Sequence, residues 1–257
     1  MDRASYDAFA SDLTASLAAR PEVLGLVAAG SFASGPDEWS DHDFLVITAP
    51  EAAAALRADP SWLPHHERLV LHFRETALGM KGVYDDGHLV EYAVLGPDEL
   101  VRLRLNRTRV VLDRADDTAQ VAEVVAGTPD LEAADAESDD YLHGQLRTAL
   151  LVGVLRHRRG EHLSGIDFVH RFALRHFLVL LARHVPAERP DLRDNLNPFR
   201  RVEQAYPAVG ADLARVFASG NLEETARGLL DLAARELAGA FDTDAAAWHT
   251  VRTYLSP

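Results

Sequence analysis

The sequence predicts an α+β protein in which a mixed α/β sheet domain precedes an all-α helical bundle. Short apolar segments alternate with helical intervals over residues 1–125, and an acidic segment with Gly and Pro follows. Beyond it, Leu, Val and Phe recur at helical spacing without a strand pattern. We therefore expect a sheet domain at 1–125, a linker at 126–138 and a helical bundle at 139–257.

The first domain is expected to begin with an amphipathic helix over residues 5–20, with Ser5 as its N-cap and Pro21 ending it. A short apolar run that ends in a Gly-Ser pair predicts the first buried strand. The turn Asp85-Asp86-Gly87 predicts a hairpin. The strands are expected at 23–29, 44–48, 68–73, 81–84, 88–94 and 110–112.

The second domain carries apolar residues three and four positions apart in four long segments, which is typical of packed helices. The predicted helices cover 139–159, 165–183, 212–219 and 222–238.

Composition limits the function classes. Cys is absent, which excludes disulfides, thiolate metal sites and Cys nucleophiles. The 26 Lys and Arg residues against 40 Asp and Glu residues give a formal charge of -14, which argues against nucleic acid as a partner and suits a cationic small molecule. The N-terminus lacks a signal-peptide pattern, and the apolar runs are too short to cross a bilayer. We expect a cytoplasmic protein that does not bind membranes.

The segment from Gly30 to Asp43 carries the chemistry. Because side chains alternate along a strand, Asp41 and Asp43 should share one face, with His42 on the other. Two adjacent carboxylates repel each other unless a cation lies between them, and Mg²⁺ takes oxygen ligands and often bridges to substrate phosphates. Gly30 permits close approach of a phosphate to the backbone, and Ser31 offers a hydroxyl and an N–H group. These residues are the expected nucleotide-binding and metal-binding groups.

Glu91 is the expected third carboxylate. It is a charged residue inside an apolar strand, where an unpaired charge would be costly. A site with two metal ions also needs more oxygen ligands than a pair of Asp side chains supplies.

Gly-Ser, nine intervening residues and then Asp-x-Asp with apolar flanks resembles the signature of the nucleotidyltransferase superfamily that polymerase β and the antibiotic nucleotidyltransferases share. The segments 84–91 (Tyr-Asp-Asp-Gly-His-Leu-Val-Glu) and 95–100 (Leu-Gly-Pro-Asp-Glu-Leu) resemble the hairpin in which streptomycin adenylyltransferases carry their third acidic residue. The family usually has Asp there, where this chain has Glu91. In some relatives a Glu at this position is the base, so the resemblance leaves open whether Glu91 is a ligand, the base or both.

The resemblance implies a nucleotidyltransferase-type sheet domain and an active site in the cleft between the two domains. It implies transfer of a nucleoside monophosphate from a nucleoside triphosphate, with ATP as the first candidate, to a hydroxyl of a small molecule. It also implies two Mg²⁺ ions bound by Asp41, Asp43 and Glu91. The acceptor it points to is an aminoglycoside or lincosamide antibiotic, which would make this an antibiotic-resistance enzyme, and other metabolites or proteins stay open as acceptors. The oligomeric state stays open between monomer and homodimer.

Two alternatives remain. The fold is compatible with a noncatalytic nucleotide sensor or an antitoxin-like protein. The second alternative is a C-terminal domain that cleaves RNA, because Arg171 and His176 have the Arg-x4-His spacing of HEPN ribonucleases. That spacing, however, places the two residues about 140° apart on an ideal helix.

Overall fold

The computed structural model describes residues 2–128, 137–243 and 246–255. The chain divides into two compact units, Met1–Thr128 and Pro129–Pro257. The first contains a sheet and helices, and the second is helical over its described residues, which confirms the predicted fold class. Within the expected linker 126–138, residues 129–136 lie outside the described residues.

The sheet of the first unit has six strands in the order β3-β4-β5-β2-β1-β6. Strands β2 and β5 pair in parallel, whereas the other neighbouring strands are antiparallel. The strands are β1 (Val23–Ala29), β2 (His42–Thr48), β3 (Leu69–Arg74), β4 (Gly79–Tyr84), β5 (Leu89–Leu95) and β6 (Thr108–Asp113). Each predicted strand is present, with ends that differ from the prediction by two residues at most.

Helices pack against the two faces of this sheet. They are α1 (Arg3–Ala18), α2 (Gly30–Ser34), α3 (Ala53–Ala58), α4 (Pro97–Leu100) and α5 (Asp117–Gly127), with 3-10 turns at Pro60–Trp62 and His66–Arg68. The predicted N-cap of α1 was wrong: Asp2 is the cap, and its carboxylate accepts a hydrogen bond from the Ser5 N–H group. Asp and Ser are equally good caps, so a second candidate three residues upstream decided the helix start.

The two faces of the sheet are buried against different clusters. Phe44 and Val46 of β2 face a cluster that contains the buried side of α1, whereas Leu45 and Ile47 face a cluster with Leu100 of α4 and residues of α5. The strong burial of both faces explains why β2 and β5 read as nearly continuous apolar runs. The charged residues of β2 and β5 therefore lie where the buried apolar clusters end.

The described residues of the second unit, 137–243 and 246–255, share one hydrophobic core. Its helices are α6 (Asp139–Arg158), α7 (His162–Asp167), α8 (Leu174–His184), α9 (Val202–Ala205), α10 (Pro207–Phe217), α11 (Leu222–Glu236) and α12 (Ala246–Leu255), with a π-helical segment at Phe168–Ala173 and a 3-10 turn at Pro190–Leu192. The predicted helix 165–183 is thus divided into segments, with the π-helical segment immediately before α8. The helix predicted at 212–219 begins earlier, with Pro207 in its first turn, where the missing N–H group has no cost. No helix among the described residues is long and apolar enough to span a bilayer.

Candidate nucleotide and metal site

The turn that follows β1 is built against a carboxylate. Gly30 has φ +54°, a conformation that favours glycine, and a Cβ atom placed on it would lie 2.6 Å from Asp43 Oδ2. The Gly30 N–H group donates to the Arg107 carbonyl at 3.0 Å, which ties the turn to the segment before β6. The glycine is therefore required both by the backbone conformation and by the position of the Asp43 side chain.

Ser31 follows in the first turn of α2. Its Oγ atom is buried and, among the described residues, has no hydrogen-bond partner. Phe32 anchors the same turn: it is buried and makes an edge-to-face contact with Tyr6 of α1, with ring centroids 6.1 Å apart. A buried hydroxyl without a partner is costly, and in native proteins it often marks a place where a ligand or water binds.

The loop before β2 is held in place from both ends. Asp37 accepts hydrogen bonds from the Trp39 N–H group and from Ser40 Oγ, both at 3.0 Å. Trp39 itself is 86% exposed. At the other end, Tyr6 Oη donates to the Asp41 carbonyl at 2.8 Å. Asp41 lies immediately before β2, with its backbone fixed by α1.

His42 and His88 form a buried pair under α1. The His42 ring is stacked on Tyr6, with ring centroids 3.6 Å apart. Its Nε2 lies 3.2 Å from the Tyr6 carbonyl, which can only accept, so Nε2 carries the proton and Nδ1 accepts from His88 Nε2 at 2.8 Å. Burial lowers the pKa of His42 to about 3 and that of His88 to about 4. The pair is neutral at physiological pH and supports the start of β2 from the side opposite to Asp43.

Asp43 and Glu91 lie side by side on the other face. They are in register across the parallel pair β2 and β5. Neighbouring strands are about 4.8 Å apart, so the two side chains start from adjacent positions on one face. This is the neighbourhood that the sequence predicts for its third carboxylate.

Lys81 extends this row onto β4, and sequence reasoning missed it. It is in register with Glu91, and its Nζ lies 2.8 Å from Glu91 Oε1 and 2.8 Å from Glu75 Oε1. The hydrogen bonds to Glu75 and Glu91 raise the pKa of Lys81. The signal was available: a hairpin centred on Asp86 places residue 81 opposite residue 91.

The structure brings the predicted site residues to one end of the sheet, but their carboxylates do not converge on one point. Among the described residues, no group of three or more His, Asp and Glu side chains is arranged to hold a metal ion. Asp43 reaches toward the turn after β1, and Glu91 reaches toward β4, on the opposite side. The roles of Asp41, Asp43 and Glu91 in metal binding stay predictions.

Arg171 and His176, the residues of the ribonuclease alternative, are engaged elsewhere. Arg171 is exposed, pairs with Asp167 at 2.6 Å and lies over the Phe172 ring. His176 is 8% exposed, and its Nδ1 donates to the Phe172 carbonyl at 2.6 Å. These contacts give the two residues a structural role.

Comparison with known proteins finds likeness in fold. No protein-family model matches the sequence, and no curated protein matches it. Among solved structures, the chain is similar to an aminoglycoside 6-adenyltransferase from Bacillus subtilis, with 10% identity, a TM-score of 0.37 and an alignment over 95% of each chain. At this identity and TM-score the similarity carries no argument about chemistry, which has to be argued from the site itself.

Proposed function

We propose that this protein is a nucleotidyltransferase that moves a nucleoside monophosphate from ATP or another nucleoside triphosphate to a hydroxyl of a small molecule. The observation that carries the proposal is the Gly30 turn held against Asp43, with Asp41 two residues before it and Glu91 in register beside it. Carboxylates beside a turn that carries a buried hydroxyl, with no partner for it among the described residues, suit the binding of a metal-bound triphosphate.

The turn supports phosphate binding. The buried Ser31 Oγ, which has no partner among the described residues, can donate to a phosphate oxygen and so satisfy a group that otherwise costs about 1–3 kcal/mol. Gly30 lets the backbone come close to the same phosphate because it has no side chain. We assign to these two residues the binding of the β- and γ-phosphates.

The carboxylates support a hard divalent cation. The available donors are oxygens, which suit Mg²⁺, and Asp41 and Asp43 would hold the ion together with phosphate oxygens of the substrate. When bound, the ion neutralises the charge that develops on the phosphates during transfer. Glu91 would complete the metal site, accept the proton of the acceptor hydroxyl, or do both.

In the proposed reaction, the acceptor oxygen attacks the α-phosphorus in line with the departing pyrophosphate. The chain contributes mainly by fixing the triphosphate and the attacking hydroxyl in one geometry. The formal charge of -14 and the sequence resemblance favour a cationic acceptor, with aminoglycoside and lincosamide antibiotics as the first candidates.

The test is a screen of acceptors with labelled ATP and GTP, followed by Asp43→Asn. We expect magnesium-dependent release of pyrophosphate with at least one acceptor, and a loss of about 100-fold or more in Asp43→Asn, because an amide is a poor replacement for an ionised ligand at a developing charge. Asp12→Asn, which changes an exposed carboxylate on α1, is the matched control and should retain activity.

Unchanged transfer in a folded Asp43→Asn variant would refute the assignment. Tight, magnesium-dependent binding of triphosphate without pyrophosphate release on any acceptor would instead identify a nucleotide sensor.

A further inference from the structure

The row Lys81–Glu91–Asp43 has a direction. These residues are in register on three adjacent strands, β4, β5 and β2, with Glu91 in the middle. Asp43 Oδ2 is turned toward Gly30 in the turn after β1, whereas Glu91 Oε1 is turned toward Lys81 on β4. The Glu91 carboxylate therefore points toward the ammonium of Lys81 and away from the carboxylate of Asp43.

Lys81 is held firmly in this position. Its ammonium bridges Glu91 and Glu75 with two contacts of 2.8 Å, and its side chain is only 25% exposed. A divalent ion that used Glu91 would need to bind its carboxylate at roughly 2.0–2.1 Å, next to this ammonium. Two cations so close repel each other, so one of them has to leave.

We propose that Lys81 takes the place of a second metal ion: the site binds one divalent ion, at Asp41 and Asp43, and Glu91 is not one of its ligands. This inference rests on the proposed function, and it changes the expectation of two ions and three acidic ligands. Lys81 is a positioning residue that holds the Glu91 carboxylate at a distance from the ion and leaves it available to the acceptor. Glu75 keeps the ammonium in place.

The experiment is equilibrium dialysis of the full chain against Mn²⁺ and α,β-methylene-ATP, which cannot be split at the α–β position. Bound manganese is measured by atomic absorption and bound nucleotide by ultraviolet absorbance. We expect one manganese ion and one nucleotide per chain in the wild type. Glu91→Gln should keep this ratio, with a manganese Kd within twofold of the wild type, whereas Asp43→Asn should lose the ion.

Lys81→Met should bind a second manganese ion, because the vacated Glu91 carboxylate then lacks a compensating cation. Lys81→Arg retains the charge and should stay at one ion. Glu75→Gln is the matched control: it removes the other ion pair of Lys81 but leaves the pair with Glu91, so it too should stay at one ion. Glu91→Gln provides an independent test even if Lys81→Met does not fold.

Two ions in the wild type, one of which is lost in Glu91→Gln, would overturn the inference and leave nucleotidyl transfer intact. A folded Lys81→Met variant that still binds one ion would also overturn it. Absence of any bound manganese in the wild type with α,β-methylene-ATP present would refute the metal-dependent function itself.

Discussion

The two faces of the sheet at the start of β2 do opposite things with polar residues. On the α1 face, His42 and His88 are buried and neutral; they bond to each other, and His42 also donates to the Tyr6 carbonyl. On the other face, the carboxylates of Asp43 and Glu91 are partly exposed, and Glu91 pairs with Lys81. Consecutive residues of one strand thus belong to different kinds of site.

The difference shows that chemical type alone does not identify a functional residue. Imidazoles are common ligands and bases, but His42 and His88 are enclosed by aromatic rings, and their burial disfavours the charged form. The carboxylates of Asp43 and Glu91, by contrast, are partly exposed to solvent. The α1 face should therefore determine stability, and the opposite face should determine activity.

The largest effect on stability is expected from His42→Ala. The change removes a ring stacked on Tyr6 and leaves the Tyr6 carbonyl and His88 without their bonds, which should lower the free energy of unfolding by about 3 kcal/mol. Urea unfolding followed by circular dichroism measures it. Asp43→Asn, one residue away, is the control and should change stability by less than about 1 kcal/mol while it abolishes transfer. Equal destabilisation by the two changes would break the comparison.

Gly30→Ala should affect both stability and activity. The positive φ alone costs about 1 kcal/mol, and the new methyl group would also displace the Asp43 carboxylate, so we expect a loss of about 2 kcal/mol. Gly87→Ala is a matched control, because Gly87 has φ +83° but open space where a Cβ would be. If Gly30→Ala costs no more than Gly87→Ala and leaves manganese binding unchanged, the turn does not position Asp43.

Much of the fold could be predicted because its signals are local. The strands of the first unit carry short apolar runs bounded by turn residues, and the hairpin turn at Asp85-Asp86-Gly87 set the pairing of β4 with β5. The sheet order could not be predicted, because the placement of β1 between β2 and β6 depends on long-range packing rather than on any local pattern.

The sequence singled out the acidic residues of the candidate site but not the ion pair that Glu91 forms. The Asp-x-Asp spacing and the isolated charge at Glu91 mark carboxylates that need compensation, but they do not say what supplies it. Lys81 was missed because a lysine in a strand is unremarkable until the register places it opposite a carboxylate. The pair of His42 and His88 was missed for the same reason, since the two are 46 residues apart.

The neutral histidine pair should make stability depend on pH. Both histidines have a pKa below the ordinary value of 6.5, about 3 for His42 and about 4 for His88. Between about pH 4 and pH 6.5 the unfolded chain therefore binds protons that the folded chain does not, so the stability rises with pH across this window and levels off above it.

Each histidine contributes a slope of up to about 1.4 kcal/mol per pH unit. Burial also lowers the pKa of His143 in the second unit to about 4, so the informative quantity is the difference between the wild type and His42→Gln. We expect a smaller slope in His42→Gln between pH 4.5 and 6, measured from urea midpoints. An unchanged slope would show that the buried pair does not stay neutral.

Trp39→Phe is expected to have the smallest effect on stability. It also gives the most direct measurement on the loop before Asp41 and Asp43. Trp39 is 86% exposed, whereas Trp62 and Trp248 are 2% and 1% exposed, so acrylamide quenching of the wild type should come almost entirely from Trp39. The substitution should change stability by less than about 0.5 kcal/mol and remove most of the quenching. Because Trp39 lies two residues before Asp41, bound manganese and α,β-methylene-ATP should reduce the quenching of the wild type. Quenching that persists in Trp39→Phe would show that Trp39 is not the quenched side chain. Wild-type quenching that the bound nucleotide does not alter would show that this loop is not next to the nucleotide.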